Sequence, residues 1–159
     1  MQTTTRTGSA VRLAAAMAVT LAGCGGDRAP TEASDGARVV AQAVARPAAL
    51  SAGAAFDIEL TATNVTSAPI AMTLTSGCAF TYQVQTPAGQ QVAAPQYLCT
   101  AVIRPVTLAP GEVLRETYRY ETGDFTFPAL APGRYRVVPT VNVRAIPGLV
   151  YRAADIEVR

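Results

Sequence analysis

Between Phe56 and Tyr151 the chain alternates apolar and polar side chains in short runs. This is the period-two pattern of strands that bury one face. Phe56, Ile58, Leu60 and Ala62 interleave with Asp57, Glu59, Thr61 and Thr63. Phe80, Tyr82 and Val84 interleave with Thr81, Gln83 and Gln85, and Leu114, Tyr118 and Tyr120 fall opposite Arg115, Thr117 and Arg119. Further strands are expected over 70–75 and 102–108, with 134–143 and 149–158 as a final hairpin around Pro147-Gly148. Residues 38–45 fit a strand, although Val40 and Val44 also suit a helix face. Turn chemistry separates these runs: 64–69, Pro87-Ala88-Gly89, and Pro110-Gly111 as the central pair of a type II turn. Pro139 interrupts an otherwise central strand, and because proline lacks the ladder donor a bulge or an edge is expected there.

Strands at this spacing, with no stretch long enough for a βαβ crossover, predict an all-β fold. The expected form is an antiparallel immunoglobulin-like β-sandwich of about 7–8 strands. In Leu130-Ala131-Pro132-Gly133-Arg134-Tyr135 a tyrosine follows a Pro-Gly turn and enters a late strand. Tyr135 thus resembles the tyrosine corner of such sandwiches, its hydroxyl reaching back to the backbone, or else it packs only.

The first residues follow a different pattern. Arg6 and Arg12 precede the apolar run 13–21, which ends in Leu21-Ala22-Gly23-Cys24. A basic start, a short apolar stretch and small residues are the parts of a secretory signal. The run is well short of the roughly 20 residues that span a bilayer. Leu21-Ala22-Gly23-Cys24 resembles the lipobox of bacterial lipoproteins, which implies acylation of Cys24 and loss of residues 1–23. Acyl chains would then hold the protein to a membrane, each buried CH₂ contributing about 0.8 kcal/mol. The alternative is a plain signal cut after Ala18, where Ala16-Met17-Ala18 fits the cleavage pattern. Residues 24–37, rich in Gly, Asp, Ser and Ala, read as a flexible linker, and 38–159 as the sandwich.

Composition narrows the chemistry. All 13 basic residues are arginines, and the chain has no lysine, histidine or tryptophan. Losing Arg6 and Arg12 with the signal takes the 13 arginines to 11, equal to the 11 acids. A neutral body offers no field for nucleic acid. Without histidine or lysine the commonest acid–base, Schiff-base and zinc-ligand groups are missing. No Gly-x-Ser-x-Gly elbow and no phosphate-cradling glycine loop occurs. We expect no enzyme, no cofactor and no metal.

The order of features from Phe56 to about Val143 resembles the intracellular proteinase inhibitor (BsuPI-type) domain. The resemblance is carried by Leu60-Thr61-Ala62-Thr63-Asn64, Ser76-Gly77, Phe80 to Val84 with Ala88-Gly89, Leu108-Ala109-Pro110-Gly111-Glu112, and Pro132 to Tyr135. It departs from the family at Gln91-Val92-Ala93, where a tryptophan is frequent, and in its export signal. The resemblance implies the same sandwich and, as an alternative function, inhibition of subtilisin-like proteases in the envelope or outside the cell.

Five groups of residues remain as candidate sites. With Cys24 acylated, Cys78 and Cys99 are an even pair in an oxidising compartment, where a disulfide is expected. Such a bridge braces the fold, or it also presents Gln96-Tyr97-Leu98 as a rigid contact loop. Asp57 with Glu59 read as a solvated strand face rather than a calcium site, which needs six to eight oxygens. Arg115 with Arg119, and Arg134 with Arg136, read as outward strand positions with a lesser prospect of an anion patch. Asn64-Val65-Thr66 matches a glycosylation sequon that bacterial export leaves without meaning. The expectation is a lipid-anchored cell-envelope protein facing periplasm or exterior. Its non-catalytic sandwich would bind or assemble with an envelope protein that the sequence does not identify.

Overall fold

The computed structural model describes residues 38–94, 97–122 and 127–159. The expected signal peptide, the linker and Cys24 lie outside the described residues. Within them the protein is an all-β sandwich of immunoglobulin-like kind, with no helix and eleven strands. The strands are β1 (Val39–Arg46), β2 (Ala49–Leu50), β3 (Phe56–Asn64), β4 (Ile70–Leu74), β5 (Phe80–Gln85) and β6 (Gln91–Ala93). There follow β7 (Arg104–Leu108), β8 (Val113–Tyr120), β9 (Gly133–Val141), β10 (Leu149–Arg152) and β11 (Ala154–Val158). One sheet has the order β10-β1-β3-β8 and the other β2-β11-β9-β5-β6, while β4 and β7 form a separate pair.

The alternation read in the sequence is the alternation of burial. Val39, Ala41, Ala43 and Ala45 of β1 point inward, as do Phe56, Ile58, Leu60 and Ala62 of β3. From the facing sheet come Phe80, Tyr82 and Val84 of β5, Val137 and Val141 of β9, and Ile156 and Val158 of β11. β1 is a strand, which settles the ambiguity at 38–45: burial repeats every second residue, as a strand requires. Its three inward alanines are small, and β1 packs directly against β9 and β11.

Two features differ from the antiparallel expectation. Residues 149–158 do not form one strand. β11 pairs antiparallel with β9, but β10 crosses to the opposite sheet and pairs parallel with β1, from Val39↔Leu149 to Gln42↔Arg152. Likewise β2, following the cis Arg46–Pro47 peptide, leaves the sheet of β1 and runs parallel to β11. The extra short strands account for the higher strand number.

Pro139 pairs with Tyr82 inside the β5–β9 ladder without a bulge. Asn142 N–H donates to Ala79 O at 2.8 Å, so by alternation Pro139 turns its nitrogen away from β5. On that other side the β9–β11 pairing has already ended at Val137↔Ala154. The proline therefore sits where β9 is locally an edge.

Asn64, the last residue of β3, is completely buried and ties two turns to that strand. Its Nδ2 donates to the carbonyls of Ala68 (2.8 Å), Leu108 (2.9 Å) and Ala109 (3.1 Å). Its Oδ1 accepts from Thr66 N–H at 2.9 Å and the Thr66 hydroxyl at 2.8 Å. The second turn is 109–112, where Glu112 N–H donates to Ala109 O at 3.0 Å and Gly111 adopts φ 74°. That is the type II turn expected for Pro110-Gly111, and its third position needs a residue free to take positive φ. Glu112 Oε2 also accepts from Ala109 N–H at 2.7 Å. The Asn of one matched segment and the Leu-Ala-Pro-Gly-Glu of another thus meet as one clamp. The sequon asparagine has its amide fully engaged inside the protein.

Candidate functional site

Cys78 and Cys99 form a disulfide with Cα atoms 5.4 Å apart. It fastens the segment between β6 and β7 to the start of β5. Beside it Gly77 N–H donates to Thr100 O at 2.8 Å. The backbones approach so closely there that a Cβ on residue 77 would lie 2.3 Å from Thr100 Oγ1. Only glycine fits that contact without displacing Thr100.

The other side of the same segment is held by Tyr97. Its ring packs 4.7 Å from Tyr118 and 6.3 Å from Phe127, centroid to centroid, and its hydroxyl donates to Tyr82 Oη at 3.1 Å. Tyr82 meets Tyr118 edge-on at 5.7 Å, and Phe127 meets Tyr120 edge-on at 5.2 Å. These are the offset and edge geometries that aromatic rings favour. Tyr97 is therefore an inward anchor of the loop and differs from the contact residue expected of it. Gln96 lies outside the described residues. Leu98 is fully exposed, and Ile103 at 67% and Val102 at 43% exposure share its stretch. What this loop presents is aliphatic.

Glu116 completes the support. Its carboxylate, half-buried on β8, accepts from Ala79 N–H at 3.0 Å and Phe80 N–H at 3.2 Å. The Tyr118 hydroxyl lies 2.8 Å from Phe80 O and 2.5 Å from Glu116 Oε2. An edge strand of one sheet is thereby stitched to the first residues of a strand in the other, next to Cys78. Glu116 has the same parity as Leu114, Tyr118 and Tyr120. An acid on the inward face was the signal in the sequence that a buried donor awaited it.

Burial raises the phenol pKa values of Tyr82, Tyr97 and Tyr118; the bond to Tyr97 adds to the rise at Tyr82, and Glu116 adds to that at Tyr118. Tyr120, whose hydroxyl donates to Pro128 O at 2.7 Å, is pushed up to about 12 by burial and then by Tyr135. Folded-state values above the free value mean that the folded chain holds protons the unfolded chain releases above about pH 10. The fold should accordingly hold level up to about pH 10 and weaken from there toward 12. Urea midpoints measured between pH 8 and 11.5 check this, and a flat profile to 11.5 contradicts it.

The remaining candidates are placed elsewhere. Tyr135 Oη donates to Ala131 O at 2.8 Å, a local return to the backbone four residues upstream. The carboxylates of β3 and the arginines of β8 lie side by side: Asp57 pairs with Arg119 at 3.0 Å and Glu59 with Arg115 at 3.4 Å. Arg119 also bonds Glu121. On the other sheet Arg136 faces Asp155 at 3.8 Å, and Arg134 lies opposite Glu157. Arg119, Arg134 and Arg136 thus stand directly opposite acids and Arg115 reaches Glu59 diagonally, which removes the anion patch considered for them. Exposed pairs of this kind contribute little to stability. Among the described residues no group of three His, Cys, Asp or Glu side chains could hold a metal ion.

No family model matches the chain, and no curated relative matches it. The resemblance to the BsuPI-type domain therefore rests on the turn and core residues alone. Among solved structures, the CARDB domain of the PF1109 protein from Pyrococcus furiosus, solved in complex with di-metal ions, is similar at 15% identity and a TM-score of 0.46. The match covers 79% of this chain and 90% of that one. The alkylpurine DNA glycosylase AlkC of Pseudomonas fluorescens, bound to DNA containing an abasic site analog, is similar at 19% identity and a TM-score of 0.43, over 79% of this chain and 31% of that one. A β-glucosidase of Erythrobacter marinus, EmGH1, gives 14% identity and a TM-score of 0.41, over 74% of this chain and 15% of that one. No property of those proteins is assigned to this chain.

Proposed function

We propose that this is a lipid-anchored cell-envelope protein whose sandwich is a non-catalytic module. In this reading Cys24 carries the acyl chains and the loop 97–103 engages an apolar recess on an envelope protein. One observation carries the binding surface: Leu98 and Ile103 are exposed on a backbone fixed from three sides, by the disulfide, by Gly77–Thr100 and by the Tyr97 ring. Aliphatic groups held rigid in water lose little further entropy when a partner covers them.

The surface is tested by cross-linking in intact envelopes. Leu98→Ser with Ile103→Ser should abolish a cross-linked species that the unaltered chain forms, with the thermal midpoint unchanged because both side chains are already solvated. An identical cross-linking pattern would remove this loop from the interface. The anchor is tested separately by Cys24→Ser, which should abolish lipid labelling and leave the chain unprocessed. Unchanged labelling contradicts it.

Protease inhibition is the second reading, and a braced, exposed loop also suits it, since rigid extended segments are what proteases bind without releasing. Titration against subtilisin-like proteases separates the two. Stoichiometric inhibition that Leu98→Ser weakens supports an inhibitor, and steady cleavage of a reporter substrate at equimolar protein excludes it.

A further inference from the structure

Four arginines of β8 and β9 have acids beside them, but two others line a cleft that no described acid lines. Arg38 and Arg144 line a cleft of about 240 Å³ between β4 and the segment that follows β9. The cleft arises because two backbones diverge. Thr75 N–H donates to Asn142 O at 2.8 Å and Arg144 N–H to Thr73 O at 3.1 Å, after which the chain turns away through Ala145 and Ile146. Residues 73 and 75 spend their backbone groups on that side. By strand alternation Ala71 directs its N–H and C=O the same way, into the opened wedge. Pro69, Met72, Ile146 and Pro147 supply apolar walls. Among the described residues no carboxylate lines the cleft, and neither Arg38 nor Arg144 has an ion pair with a described acid.

We propose that this wedge binds a phosphate-type oxyanion, held between the Arg38 and Arg144 guanidinium groups with the Ala71 amide as a further donor. Guanidinium forks match phosphate oxygens, and an unopposed pair of them with a backbone N–H is the arrangement that recognises such groups. The larger groove over Arg134, Arg136, Asp155 and Glu157 holds both signs of charge and lacks this selectivity. The oxyanion has two possible sources, a phospholipid headgroup and a soluble phosphoester. Arg38 is 14 residues past Cys24, a contour of at most about 50 Å, so an acylated chain keeps the wedge within reach of headgroups. The wedge itself requires no acylation, so failure of the lipoprotein reading leaves it standing.

The test uses the full chain in a zwitterionic detergent. Inorganic phosphate, titrated at constant ionic strength against chloride, should shift the amide resonances of residues 70–73 and 144–146 saturably. The double substitution Arg38→Gln, Arg144→Gln should weaken that response at least tenfold, and Arg38→Lys, Arg144→Lys should retain part of it. Retention on phosphatidylglycerol vesicles relative to phosphatidylcholine then assigns the source. A ratio that falls in the glutamine variant indicates a headgroup, and an unchanged ratio with the phosphate response intact indicates a soluble phosphoester. Equal responses to phosphate and chloride, or shifts gathered on β9 and β11 instead, would overturn the site without recourse to any variant.

Discussion

Asn64→Asp is expected to cost about 3–5 kcal/mol at neutral pH, the scale of an uncompensated buried charge. The substitution keeps the shape and reverses the chemistry. Three carbonyl oxygens that now receive an amide N–H would face a carboxylate, while only Thr66 still donates to it. The neutral carboxyl is the form this site tolerates, so the folded-state pKa of the introduced acid lies above its unfolded value of about 3.9. Its penalty relative to the unaltered protein should therefore be smallest below that pH and deepen as pH rises through it. Urea denaturation of both proteins at pH 4 and pH 7 measures the difference. Equal midpoints at pH 7 would remove Asn64 from the clamp between β3 and the 109–112 turn.

Removing the disulfide, as Cys78→Ala with Cys99→Ala, should lower stability by about 3 kcal/mol, the chain-entropy value for a bridge with a sequence separation of 21. The loss should be global, because the released loop carries Tyr97, a wall of the buried aromatic group. Hydrogen exchange should rise first at 97–103 and then at Ala79 and Phe80, whose amides depend on Glu116. Reduction of the unaltered protein should give the same denaturation midpoint as the double variant. A loss below about 1 kcal/mol would mean that the Gly77–Thr100 contact and the Tyr97 packing hold the loop by themselves.

Strands with one solvated face write themselves into the sequence because burial repeats every second residue. β3, β5 and β8 were legible for that reason, whereas β1 was ambiguous because Val40 and Val44 on its outer face are also apolar. β10 was not: its burial is intermediate and irregular, and its partner β1 lies 110 residues away, so no local pattern records that it leaves the sheet of β11. The same limit applied to the site. Cysteine count and compartment pointed to the Cys78–Cys99 bridge, but an irregular stretch has no period, and nothing in Gln96-Tyr97-Leu98 says which ring turns inward. The arginine pairs show the converse. Spacing along one strand put Arg115 and Arg119 on one outward face, and only the pairing of β3 with β8 revealed Asp57 opposite Arg119 and Glu59 diagonal to Arg115.

The parallel pairing of β1 with β10 has a mechanical consequence. A pull drawn along the chain into Val39 acts on a strand that lies between β10 and β3 over its first four residues. Its ladder bonds run across the strand on both sides. Tension along β1 therefore loads those bonds together in shear, instead of opening them one after another as at the end of a hairpin. β1 is clasped on one side by a strand that lies 110 residues further along the chain, so resistance to that force is complete only when β10 has docked.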